Sequence, residues 1–131
     1  MTVTLLFASL LALWFVILSV RVIRYRGAHS IGLGHGGDIT LQRRIRGHGN
    51  FVDYAPMVLV LMGMLEVAGA DRTLLFVIGG LLLVGQLAHG WALSFTDGNP
   101  LGRIGGMVLT LASLVIGAVS GLTIALDVTV F

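Results

Sequence analysis

The sequence predicts an all-α membrane protein, a four-transmembrane-helix antiparallel bundle forming one domain over residues 1–131. Three observations predict it. The chain is 56% hydrophobic and only 11% charged, with a mean hydropathy of +1.00, outside the range of a water-soluble domain. Four apolar stretches come near the ~20 residues that a helix needs to cross a bilayer. The second and third connections are short, which forces successive helices to run antiparallel.

The first span, Thr4 to Val22, has no basic residue ahead of it and Arg21, Arg24 and Arg26 at and behind its end. That asymmetry fits an uncleaved first helix better than a signal peptide. Gly27 to Asp38 (GAHSIGLGHGGD) reads as the one extended loop. Neither a preceding strand nor a following Gly-Lys-Ser/Thr makes it a phosphate loop. The second span, Phe51 to Ala68, contains Pro56, which removes an amide donor and predicts a kink beside Asp53. Gly69-Ala70-Asp71-Arg72 leads to the third span, Thr73 to Phe95, and Thr96 to Pro100 leads to the fourth, Ile104 to Leu126. The last carries Gly105-Gly106 and a Gly117/Gly121 pair at GxxxG spacing, the usual sign of close helix packing in lipid.

All eight basic residues are arginine, and seven of them flank the first and third loops. The positive-inside rule then places those loops in the cytoplasm and both termini on the other side, multi-pass in the cell inner membrane. The net charge of +2 is explained by topology and attraction to anionic headgroups, so no nucleic-acid partner is expected. Without cysteine, disulfides and thiolate sites are excluded. His29 and His35 have poor metal spacing and no metal site is expected.

The most informative segment is Arg46-Gly47-His48-Gly49-Asn50-Phe51-Val52-Asp53-Tyr54-Ala55-Pro56. On a helix, Arg46, Asn50 and Asp53 fall at i, i+4 and i+7, one polar stripe on an otherwise lipid-suited element. A carboxylate and an amide at membrane depth mark either a ligand site or an interhelical hydrogen-bond clamp. Counting ~1.5 Å per residue from the second turn puts Asn50 about 27 Å and His89 about 24 Å down neighbouring helices. Arg46, His48, Asn50, Asp53, Tyr54, Gln86, His89 and Arg103 could therefore converge near the cytoplasmic face. Arginine forks grip carboxylates and a carboxylate can hold an amine, a donor set suited to a small zwitterion such as glutathione. Arg103, in the first turn of the fourth helix, would add to the positive helix end and favour a bound thiolate; alone it reads equally well as a topology anchor.

These residues resemble the MAPEG family of membrane-associated proteins in eicosanoid and glutathione metabolism, in particular its small bacterial members. The family's second-helix pattern is filled in register by Arg46, Gly47, Asn50, Asp53, Tyr54 and Pro56, and the four-span layout matches along essentially the whole chain. The resemblance implies a homotrimer with glutathione held between subunits. It implies glutathione contacts for Arg46, Asn50, Asp53 and Tyr54, with His89, Arg43 and Arg26 as further candidates. It also implies that Arg103 activates the thiol, a match that needs a one-residue insertion after His89. The sequence departs from the pattern in having Asp53 where Glu is commoner, Gln86 where some relatives carry arginine, and Leu93 where some carry tyrosine.

The expected function is a glutathione-dependent transferase or peroxidase acting on lipophilic electrophiles or lipid hydroperoxides from the bilayer. A non-catalytic glutathione- or lipid-binding protein of the same fold is the alternative. A more remote one is a haem electron carrier ligated by His48 and His89.

Overall fold

The computed structural model describes residues 1–126. It contains α1 (Thr2–His29), α2 (Ile39–Val67), α3 (Arg72–Ser94) and α4 (Pro100–Ala125), and each is long and apolar enough to cross a membrane. The bundle is asymmetric. α2 packs on the other three helices, α3 likewise, and α1 and α4 make no contact with each other.

Two helices outrun their apolar stretches. α1 continues past Val22 through Arg24 and Arg26 to a left-handed Ser30 (φ 54°), and α2 begins at Ile39, twelve residues before the apolar run opens at Phe51. The expected Gly27–Asp38 loop is therefore shorter: Gly27, Ala28 and His29 are helical, and Gly34, Gly36 and Gly37 supply the positive φ values of the remaining turn. Asp38 starts α2 by accepting the Leu41 amide at 3.0 Å, while its other oxygen accepts the Tyr25 hydroxyl at 2.9 Å. The Leu41 amide and that hydroxyl hold the Asp38 carboxyl below the usual carboxylate range. Its stabilising effect is thus present above that range and fades as pH falls through it. Asp71 caps α3 through the Thr73 and Leu74 amides, whose hydrogen bonds lower its carboxyl pKa in the same way.

At the other end Glu66 accepts the Val3 and Thr4 amides at 2.9 and 2.8 Å and caps α1 from a neighbouring helix. α2 runs unbroken through the exposed Pro56.

In lipid, burying Leu11, Leu18, Val58, Met62, Ile78 and Leu82 in the core excludes no water, so tight contact must hold the helices together. Glycine supplies it. A methyl on Gly106 would come within 2.6 Å of both the Gly85 oxygen and the His89 nitrogen, and one on Gly85 within 2.8 Å of the Gly106 oxygen. α3 and α4 therefore touch backbone to backbone. The GxxxG pair does less than its spacing predicts: Gly117 lies against Leu61 at ordinary distance and Gly121 faces open space.

Candidate functional site

The polar stripe of α2 meets α3 and the start of α4 at the end of the bundle that carries the first and third loops. Arg46 Nη1 lies 3.8 Å from Asp53 Oδ2, with the two side chains 65% and 54% exposed. A pair that open contributes at most ~1 kcal/mol in water. Its value here is positional, because it fixes two charges of opposite sign on one outward face.

Beneath that face is a buried amide relay. Gln86, 1% exposed, donates both protons of Nε2, to Asn50 Oδ1 at 3.2 Å and to Thr110 Oγ1 at 3.1 Å. Thr110 in turn donates to the Gly106 carbonyl at 2.9 Å. One side chain thus ties α2, α3 and α4 together, which is why removing it would leave several buried polar atoms unmatched. Because Asn50 Oδ1 is taken, its Nδ2 must point away from Gln86. It finds only the thioether of Met107 at 3.4 Å, a weak acceptor.

One turn along α3, His89 is 6% exposed and its Nδ1 has no hydrogen-bond partner. Arg46 and Arg103 arrive at this level from α2 and α4: a methyl on Gly47, next to Arg46, would lie 3.8 Å from Gly90, and one on Gly106, one turn after Arg103, would lie 2.6 Å from the His89 nitrogen. Arg46, Asn50, Asp53, His89 and Arg103 are therefore brought together, and Tyr54 sits half-buried next to Asp53 on the same helix. Against Arg46 and Arg103 there is the single carboxylate of Asp53, so the cluster carries one unbalanced positive charge.

Three sequence candidates lie elsewhere. His48 turns toward α1, with Nε2 3.1 Å from Ser19 Oγ and its ring stacked on Phe15 at 4.7 Å. His48 and His89 thus enter different helix interfaces, which removes the basis for pairing them on one iron within a chain. Arg43 reaches Asp97 at 3.4 Å, and Arg26 Nη1 donates to the Gly34 carbonyl at 2.6 Å. Leu93, in place of a tyrosine, is buried against Gly47. Among the described residues no cluster of three His, Cys, Asp or Glu could hold a metal ion.

Met107 and Thr110 were not singled out from the sequence. Thr110 was detectable in principle, as a hydroxyl one turn after Gly106 in an apolar helix. Arg46, Asp53 and Arg103 all face outward from the bundle. Two apolar grooves at the opposite end, one beside Gly63 and one beside Gly121, carry no titratable side chain.

An outward-facing arginine and carboxylate over a buried amide, on a four-helix membrane bundle, define the class of protein, and the comparisons supply the family. The MAPEG family matches residues 4–123, and the chain belongs to it. It is similar to the inner membrane protein YecN of Escherichia coli strain K12, at 40% identity over 87 residues covering 66% of this chain and 66% of that protein. The YecN protein of Escherichia coli O6:H1 strain CFT073 gives the same identity and coverage. The alignment thus spans just under two thirds of the relatives' own length. No solved structure matches significantly.

Proposed function

We propose that the chain is a glutathione-dependent membrane transferase or peroxidase, acting on lipophilic electrophiles or lipid hydroperoxides that enter from the bilayer. The observation that carries this reading is the exposed Arg46–Asp53 pair, with Arg103 exposed at the start of α4, over buried Asn50 and His89 on a face that one chain leaves open. Glutathione has two carboxylates, one ammonium and a thiol. The two guanidiniums would hold carboxylate and thiolate, Asp53 the ammonium, and Asn50 Nδ2 would exchange the Met107 sulfur for a ligand oxygen. The open face favours completion by a second subunit, in the homotrimer characteristic of the family. Arg43 and Arg26 lie toward the loops and would reach the tripeptide only across such an interface.

The chain would sit in the inner membrane with loops one and three in the cytoplasm, supported by seven arginines flanking those loops. A cysteine replacing Ser30 is expected to escape impermeant maleimide in intact cells while one replacing Thr2 is labelled; the reverse pattern means the orientation is inverted.

A non-catalytic binding protein is the second reading, favoured by α3: Leu93 is buried and both Gln86 donors are engaged, so neither position offers a hydroxyl or guanidinium to a thiol. Arg103 separates the two. A guanidinium at a helix N-terminus favours the thiolate, and each unit of pKa lowering is about a tenfold change in thiolate fraction below the pKa. Wild type is expected to show ultraviolet thiolate absorbance on adding glutathione and turnover with chlorodinitrobenzene. Arg103→Leu is expected to keep binding and lose roughly tenfold or more of the thiolate. Binding without a thiolate band or turnover in wild type would establish the second reading.

A further inference from the structure

Where the start of α2 meets the end of α1, the ends of α1, α2 and α3 enclose a polar groove of about 330 Å³ lined by Arg21, Arg43, Arg44, Ser94, Phe95 and Thr96, among others. Arg21 is held rigidly. Its Nε donates to Ser94 Oγ at 2.8 Å, its Nη2 to the Ser94 carbonyl at 2.6 Å, and its guanidinium lies 3.6 Å from the Phe95 ring centroid. Arg44 is held beside it. Its Nη1 donates to the Arg21 carbonyl at 3.3 Å and its guanidinium lies over Tyr25 at 4.7 Å. The positive-inside rule accounts for arginines at this end of the bundle, but not for two guanidiniums fixed along one groove. The only carboxylate in the lining is Asp97, on the rim, fully exposed and paired with Arg43. Arg44 Nε is buried and has no acceptor.

The same seam continues into the apolar zone. Trp14, seven residues before Arg21 on α1, stacks on Phe95 with ring centroids 6.1 Å apart. It also lines a second groove with Val84, Leu87, Ala88 and Trp91, almost wholly apolar and open along α1 and α3. Exposed Trp91 and Phe95 mark this level as the membrane interface, where aromatic rings settle.

We propose that this seam is a phospholipid site: an anionic headgroup phosphate sits against Arg21 and Arg44, and an acyl chain lies over Trp14, Leu87 and Trp91. Charge complementarity selects the head. Two arginines without a carboxylate between them suit a phosphodiester, and basic pockets between helices at this membrane face are the usual form of such sites. The dry groove selects the tail and distinguishes a lipid from a soluble phosphate ester.

The test is native mass spectrometry and thermal unfolding of the purified full chain, supplied with phosphatidylglycerol, phosphatidylcholine or glycerol phosphate. Wild type is expected to retain phosphatidylglycerol in preference to phosphatidylcholine and to be stabilised by it, with no response to glycerol phosphate. Arg44→Gln should weaken retention roughly tenfold or more, the loss of a charge-assisted bond. Arg24→Gln removes the same charge from an exposed position outside the groove and should change little. Equal losses in the two variants would reduce the effect to general surface charge and overturn the site. Glycerol phosphate stabilising as well as the lipid would overturn the lipid assignment. Should Arg44→Gln not fold, Trp91→Phe leaves Trp14 as the sole tryptophan. Brominated phosphatidylglycerol should then quench it more than brominated phosphatidylcholine at equal mole fraction, and equal quenching contradicts the proposal.

Discussion

Gly106→Ala is expected to lower the melting temperature in detergent and to abolish thiol activation together, although alanine is the better helix former. The helix-propensity gain is up to ~1 kcal/mol. Against it, the new methyl would lie within 2.6 Å of two backbone atoms, the Gly85 oxygen and the His89 nitrogen, which no side-chain rotation can relieve. Overpacking of this kind costs about 1–3 kcal/mol and here is relieved only by moving α4 off α3. That movement carries Arg103, in the first turn of α4, away from His89 and stretches the Gln86–Thr110 bond. Gly105→Ala is the control, since its methyl would meet nothing within 4 Å. If Gly106→Ala unfolds no earlier than Gly105→Ala in a thermal scan, the α3–α4 contact is not what positions the site.

Asn50→Ala and Arg46→Ala are each expected to weaken glutathione affinity by roughly 1–3 kcal/mol, or about 5- to 150-fold. The two losses have different causes. Arg46 is exposed on the open face, so its removal deletes a charge-assisted contact and leaves the bundle intact. Asn50 is buried and partnered by Gln86, so its removal also strands one Gln86 proton and should lower thermal stability, which Arg46→Ala should not. Equal stability loss in both variants would mean that the amide relay is not part of the scaffold.

The four helices, their order and the polar stripe were legible because hydropathy and 3.6-residue spacing report directly on lipid exposure and on helix faces. Helix ends were not. Hydropathy finds where lipid begins, whereas α2 continues twelve residues beyond that boundary because Asp38 caps it, and α1 continues until Ser30 turns left-handed. Counting depth placed His89 level with Asn50, whereas Asn50 meets Gln86, one turn away from His89 along α3, and depth carries no azimuth. His48, two residues after Arg46 and so about 200° around the helix, points at α1. Gln86 stood out in the sequence as one of the polar residues at this depth and as a departure from the arginine of some relatives. Its role as a double donor depends on Thr110 arriving from α4, and that follows from the Gly85–Gly106 contact rather than from any spacing within one helix.

The central claim is that the α2 stripe with Arg103 forms a glutathione site, and isothermal titration of the detergent-purified protein with glutathione tests it most directly. Saturable binding, weakened in both Arg46→Ala and Asn50→Ala with the oligomer unchanged, is the predicted result. Absence of saturable heat in wild type, or unchanged affinity in both variants, would contradict it.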